Sequence, residues 1–103
     1  MNETGLLVSD LEMIRQALRQ IPVVKQAILF GSRAKGNPKQ GSDVDLALVG
    51  DNVSHWDVLE ATKLLNQEYP LPYFFDVTNL REILNPALRD HINRVGMVIY
   101  TSK

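Results

Sequence analysis

The sequence has no cysteine, no long apolar run and no large excess of either charge, and each of these absences excludes a class of protein. Without cysteine there is no disulfide, no zinc–thiolate site and no cysteine nucleophile. No stretch approaches the roughly 20 apolar residues of a membrane-spanning helix. The net charge of -1 gives no electrostatic reason to expect stable binding along nucleic acid or to an acidic membrane.

What is present is the composition of an ordinary globular domain. Apolar residues make up 45% of the 103 residues and charged residues 22%. This is enough to build one core of modest stability. The segment Met1–Ser9 lacks the basic start and apolar run of a signal peptide. We therefore expect a single domain over residues 1–103, located in the cytoplasm.

Hydrophobic periodicity and turn residues divide the chain into alternating helices and strands. Apolar residues at steps of three and four indicate helices, and short β-branched or aromatic runs indicate strands. Ser9 with Glu12 predicts the cap of the first helix. The predicted elements are a helix from Leu7 to Ile21, strands at Val23–Phe30 and Val44–Val49, a helix after Ser54 ending before Pro70, a strand at Tyr73–Thr78, a helix from Asn85-Pro86 to Gly96, and an edge strand or tail at Met97–Tyr100.

This order predicts an α/β or α+β fold, with a small sheet covered by helices on one face. The strand order is left open. The loop between the first two strands permits either antiparallel neighbours or a tight crossover.

Two acids stand at the start of the second predicted strand. Asp43 and Asp45 are two residues apart, so on a strand their side chains project to the same side. Paired carboxylates repel unless a cation neutralises them, and magnesium prefers such oxygen ligands. The pattern therefore indicates a metal site. The alternative is that Asp43 is a turn residue and Asp45 a solvated strand residue.

A third acid lies inside an apolar strand. Asp76 is surrounded by aromatic and β-branched residues, where an uncompensated charge is costly if buried. On a strand next to Val44–Val49 it would complete a cluster of three carboxylates. The alternative is an ordinary ion pair with one of the nearby arginines, Arg81, Arg89 or Arg94.

The segment after the first strand has features of a phosphate-binding loop. Gly31 allows backbone to approach a phosphate, Ser32 adds a hydroxyl, and Arg33 adds positive charge. Ser42 is placed to support Asp43 or to cap the turn. The loop does not have the Walker A spacing. A plain connecting turn is the alternative.

The combination is more specific than its parts. Gly31-Ser32, ten residues, then Asp43-x-Asp45 resembles the DNA polymerase β-like nucleotidyltransferase superfamily in its smallest form, the minimal nucleotidyltransferase (MNT) family. The longer strings Gly-Ser-Arg-Ala-Lys-Gly and Ser-Asp-Val-Asp-Leu are similar to the sequence motif that is usual in that family. The resemblance covers the chain in length and element order, and its motif spans Gly31 to Leu46.

The resemblance implies a fold, a reaction and a set of residues. The fold would be a small mixed sheet with helices packed on one face. Gly31 and Ser32, with Arg33 and Ser42, would bind ATP. Asp43, Asp45 and Asp76 would be the catalytic residues and would hold two Mg²⁺ ions. A nucleophile would attack the α-phosphorus and pyrophosphate would leave.

The resemblance also implies a partner. MNT proteins resemble the antitoxin of a toxin–antitoxin pair, in which AMP is transferred from ATP to a tyrosine of a HEPN-family toxin. The 27 residues after Asp76 are too few for an acceptor-binding domain (103 minus 76), so we expect the partner to bring the acceptor. One alternative is a non-catalytic antitoxin that neutralises the HEPN partner by binding, through surface residues such as Trp56, Tyr69 or Tyr100. Another is a small-molecule, aminoglycoside-type nucleotidyltransferase.

Overall fold

The computed structural model describes residues 4–36 and 43–102, which form three helices around a mixed sheet of four strands. The sheet confirms the predicted fold class. The elements, in chain order, are α1 (Val8–Arg19), β1 (Gln26–Phe30), β2 (Val44–Val49), α2 (His55–Lys63) continued by a π-helical turn (Leu64–Glu68), β3 (Phe75–Asn79), a 3-10 turn (Leu80–Glu82), α3 (Pro86–Val95) and β4 (Met97–Thr101).

The strand order in the sheet is β3-β2-β1-β4. Strand β1 pairs antiparallel with β2 on one side and with β4 on the other. Strand β3 pairs parallel with β2, so the chain between them must cross over, and it does so through α2 and the π-helical turn. Since β4 is an edge strand, that prediction is confirmed.

Most of the core lies on one face of the sheet. Strand residues such as Leu29, Leu46 and Phe75 are buried there with Ile14 of α1 and Ala61 of α2. Alternate strand residues point to the other face, where a smaller cluster forms with α3. It contains Phe30, Ala47, Ile83 and Ile92.

The sequence analysis expected all the helices on one face of the sheet, and the structure instead has helices on both faces. Helices α1 and α2 cover the larger core, and α3 covers part of the opposite face. On the face that carries Asp45, β1 and β2 also present the apolar side chains of Phe30 and Ala47. Burying these side chains is favourable, and α3 packs over them.

The helix starts predicted at Ser54 and Asn85 are confirmed, and the cap predicted for the first helix at Ser9 is wrong. Ser54 and Asp57 form a capping box on α2, and the side chain of Asn85 accepts two N–H bonds at the start of α3. Helix α1 instead begins at Val8, and the carboxylate of Asp10 accepts the N–H of Leu7 at 2.9 Å. Asp10 takes this role because the same oxygen also accepts the hydroxyl of Tyr73, which fixes the carboxylate in a buried position.

Two strands differ from their predicted bounds at their first residues. Strand β1 starts at Gln26 because the N–H of Val24 donates to Ile21 in a turn that closes α1. Strand β3 starts at Phe75 rather than Tyr73. Among the described residues, no helix has the length and apolar character needed to cross a bilayer.

Candidate active site

The register of β2 and β3 places two of the predicted site residues side by side. In the parallel pair, Asp45 is opposite Asp76, and Val44 is opposite Phe75. Paired positions on neighbouring strands carry their side chains on the same face. Asp43 lies two residues before Asp45, just ahead of β2. The three acids predicted from sequence therefore lie near one another at the start of two adjacent strands.

The pKa of Asp45 is affected by the two neighbouring acids. Its pKa is raised above the ordinary value, first by burial, then by the charge of Asp76 and then by that of Asp43. Asp45 is half-buried, whereas Asp43 and Asp76 are exposed. A carboxylate held between two like charges is stabilised by any cation that binds there.

The alternative role for Asp76, an ordinary ion pair with a nearby arginine, has no support in the contacts of those arginines. The guanidinium of Arg81 donates to the carbonyl of Asp51, and that of Arg89 donates to the carbonyls of Leu80 and Ile83. Arg94 pairs with Asp90 at 2.8 Å.

Gly31 packs directly against the carboxylate of Asp45. A Cβ built on this glycine would lie 2.2 Å from Oδ2 of Asp45, closer than atoms can approach. Its φ of 80° is also in the left-handed region that favours glycine. Sequence reasoning gave Gly31 a role toward phosphate. It did not find this contact, because the contact depends on the β1–β2 register, in which Phe30 is opposite Asp45.

The chain after Gly31 makes a compact turn. The N–H of Lys35 donates to the carbonyl of Gly31 at 3.2 Å, and the N–H of Gly36 donates to that of Arg33 at 3.1 Å. Ser32 is exposed at the start of this turn. The exposed hydroxyl therefore lies next in sequence to a glycine that touches Asp45.

Arg33 is placed differently from its predicted role as a nucleotide contact. It is only 5% exposed, its guanidinium donates to the carbonyl of Thr4 at 2.9 Å, and its Cζ lies 4.9 Å from the ring centre of Tyr73. These contacts tie the turn to the N-terminal segment and to the approach of β3. The guanidinium is engaged in these buried contacts and does not face a nucleotide from the surface.

The remaining predicted residue, Ser42, lies outside the described residues. Within residues 4–36 and 43–102, no three acidic or histidine side chains are grouped tightly enough to ligate one ion as they stand. Carboxylates without a cation between them repel each other. The donor set still fits a hard divalent cation, because Asp43, Asp45 and Asp76 offer only oxygen ligands.

One contact in this region was missed altogether by the sequence analysis. The N–H of Gly31 donates to Nε2 of His91 on α3, at 2.9 Å. The sequence carries no signal for this contact, because the two residues are 60 positions apart.

The comparison with sequence families identifies the chain. A family model described as "Polymerase beta, Nucleotidyltransferase" matches residues 12–103. The chain therefore belongs to the polymerase β nucleotidyltransferase family, and the predicted class of enzyme is confirmed. No curated protein matches the chain at a significant level.

Solved structures with the same fold include several toxin–antitoxin complexes. A toxin–antitoxin structure with AMP-PNP is 23% identical, with a TM-score of 0.73 over 90% of this chain and 74% of that one. A mutant MntA–HpeT complex is 21% identical, with a TM-score of 0.71 over 100% of this chain and 76% of that one. A tri-AMPylated HEPN toxin with its MNT antitoxin, from Shewanella oneidensis, is 21% identical, with a TM-score of 0.68 over 91% and 71%. At these identities the likeness establishes the fold.

Proposed function

We propose that this chain is a magnesium-dependent adenylyltransferase that moves AMP from ATP to a tyrosine of a HEPN-family partner. The observation that carries the proposal is the pairing of Asp45 with Asp76 across β2 and β3, beside Gly31 and Ser32. That arrangement brings the acids of the family motif and its glycine–serine turn into one place.

Each residue has a role that follows from its position. Ser32, exposed in the turn after β1, donates its hydroxyl to a phosphate oxygen of ATP. Asp43, Asp45 and Asp76 are the residues that would hold Mg²⁺. Magnesium held by these acids would supply positive charge to neutralise the phosphates and the charge that develops during transfer.

The transfer exchanges one bond at the α-phosphorus for another and removes one proton from the tyrosine. The tyrosine oxygen bonds to the α-phosphorus, the bond from that phosphorus to the bridging oxygen breaks, and pyrophosphate leaves with its electron pair. Asp76, which is exposed, orients the tyrosine hydroxyl and accepts its proton. The contribution of Ser32, in the turn that begins at Gly31, is to hold the triphosphate in line with the nucleophile.

The partner is proposed on the basis of the solved structures with the same fold. One of those proteins is in a complex with AMP-PNP, and another holds a HEPN toxin that carries AMP groups. A chain with this fold and these acids has the chemistry that such a modification requires.

The test is transfer of label from α-labelled ATP to a HEPN-family protein encoded beside this chain. We expect magnesium-dependent label on a tyrosine of the partner. The Asp43→Asn, Asp45→Asn double variant should lose at least about 100-fold in rate, the order of loss when charge stabilisation in a transition state is removed. Glu60→Gln, which removes an exposed acid from α2, is the matched control and should label normally. Folded protein that labels no partner tyrosine would refute the proposal.

A second candidate is neutralisation by binding alone, and one observation favours it. Trp56 on α2 is 76% exposed, with Leu59 also exposed one turn further along. Trp56 is therefore not packed against the rest of the fold and is accessible to a partner. Tyr69 is half-buried with its hydroxyl accepting from Gln20, and Tyr100 is buried. If the double variant still protects cells from the partner while Trp56→Ala does not, binding suffices for neutralisation.

A further inference from the structure

His91 connects α3 to the glycine of the candidate nucleotide site. Its Nε2 accepts the N–H of Gly31 at 2.9 Å, and its ring meets that of Phe30 edge-on, with centres 6.3 Å apart. The imidazole is half-buried. Neither the family motif nor the proposed mechanism uses this side chain.

The direction of the hydrogen bond fixes the state of the ring. A backbone N–H can only donate, so Nε2 must carry a lone pair, and the ring is neutral with its proton on Nδ1. The N–H of Gly31 is consequently occupied. In this arrangement it is not free to donate to a phosphate oxygen.

Gly31 is therefore held from two sides. The imidazole of His91 fixes its amide, and the carboxylate of Asp45 fills the space where a side chain would be. Any shift of this residue would displace the turn that carries Ser32 and change its distance from Asp45.

We propose that His91 is a positioning residue of the nucleotide site. It holds the amide of Gly31 so that the turn keeps its place beside Asp45, and ATP phosphates are received by donors beyond Gly31, starting with Ser32. The part of this inference that concerns ATP rests on the proposed function, whereas the hydrogen bond and the ring state do not.

The first experiment measures the contact in the wild-type protein and needs no activity. Nuclear magnetic resonance of ¹⁵N-labelled protein should detect a scalar coupling across the hydrogen bond between the Gly31 nitrogen and Nε2 of His91. The ring nitrogen shifts should report a neutral ring with the proton on Nδ1. A protonated ring, or no coupling, would overturn the inference whatever the variants do.

The second experiment compares two substitutions of His91. In His91→Gln the amide oxygen reaches the place of Nε2 and can still accept the N–H, whereas His91→Phe keeps the ring contact with Phe30 but has no acceptor. We expect His91→Phe to lower kcat/KM for ATP about tenfold, the effect of one lost hydrogen bond. His91→Gln should stay within about threefold of wild type. His55→Phe, at an exposed histidine on α2, is the control and should change nothing.

The outcomes separate this inference from the proposed function. If wild type transfers no AMP, the proposed function fails, and calorimetric affinity for magnesium–ATP then replaces kcat/KM in the same comparison. Equal loss in the glutamine and phenylalanine variants would show that the acceptor atom is not what matters. If His91→Phe does not fold, the coupling in wild type together with the activity of His91→Gln decides the question.

Discussion

The charged side chain of Asp45 lowers the stability of the fold, because it is partly buried and lies near two other acids. Its pKa is raised, chiefly by burial and then by Asp76 and Asp43. A carboxyl whose folded pKa exceeds its unfolded value destabilises the fold when ionised, and this cost disappears as the pH falls through the folded pKa. Substitution of this one residue therefore separates stability from activity.

We expect Asp45→Asn to be more stable than wild type at about pH 7 in the presence of a chelator. The gain should stay below about 1 kcal/mol, since the cluster keeps contact with water. It should shrink as the pH falls toward 3.8, the ordinary value for this side chain. Urea denaturation at a series of pH values measures it. A variant less stable than wild type at neutral pH would contradict the prediction.

Gly31 is the second residue whose substitution has a clear expected result. Gly31→Ala would place a methyl group against Oδ2 of Asp45 and force a side chain into positive φ. The backbone conformation alone costs roughly 1–2 kcal/mol. We expect at least that loss in the free energy of unfolding, together with loss of the proposed AMP transfer. Gly36→Ala, where φ is 81°, is the control for the backbone cost and should retain more activity.

Among the elements, the π-helical turn Leu64–Glu68 is the one that secures β3. The side chain of Asn66 donates to the carbonyl of Phe75 at 3.0 Å and accepts its N–H at 2.8 Å. Strand β3 is at the edge of the sheet, so this side chain occupies backbone groups that a further strand would use. The position of Asp76, the next residue, depends on it.

We expect Asn66→Ala to destabilise the protein by about 2 kcal/mol, since two backbone hydrogen bonds are lost in a half-buried place. It should also reduce the proposed AMP transfer, because the strand that carries Asp76 is loosened. Gln67→Ala, an exposed neighbour in the same turn, is the control. Stability equal to wild type, measured by chemical denaturation, would show that the edge of β3 is held by other contacts.

Elements with a strong local signal could be predicted from the sequence, and those set by distant contacts could not. Strand β2 has its predicted bounds, and the helix starts at Ser54 and Asn85 follow from capping chemistry. The predicted start of α1 was wrong because the hydroxyl of Tyr73, 63 residues away, donates to Asp10 and fixes it at the start of the helix. The π-helical turn depends equally on Phe75, which no local pattern reveals.

For the whole molecule, metal and nucleotide should act together on stability. A ligand at about 100 times its Kd stabilises a folded protein by about 2.7 kcal/mol. For a domain of this size that raises Tm by roughly 10 °C or more. We expect this rise with ATP and magnesium together and a much smaller one with ATP and chelator, measured by calorimetry. The Asp43→Asn, Asp45→Asn variant should show no magnesium-dependent rise. The same shift with chelator would argue against a metal-dependent site.

The candidate site could be assembled from the sequence only as a list of residues. The motif gave the identities of Gly31, Ser32 and the three acids, but their convergence depends on the parallel pairing of β2 with β3. The burial of Arg33 and the contact of His91 depend on how the turn and α3 pack. Local patterns carry no information on either.

The parallel pairing of β2 with β3 also constrains when the enzyme can first become active. Parallel neighbours cannot be joined by a hairpin, and residues 50–74 must fold into the crossover before Asp76 reaches Asp45. Strand pairing between such distant segments is slow to form, because the entropy of closing the loop comes first. The acids on β2 and β3 thus come together late in folding. A nascent chain that has β1 and β2 but not yet β3 would hold two of the three proposed metal ligands, Asp43 and Asp45, and could modify nothing.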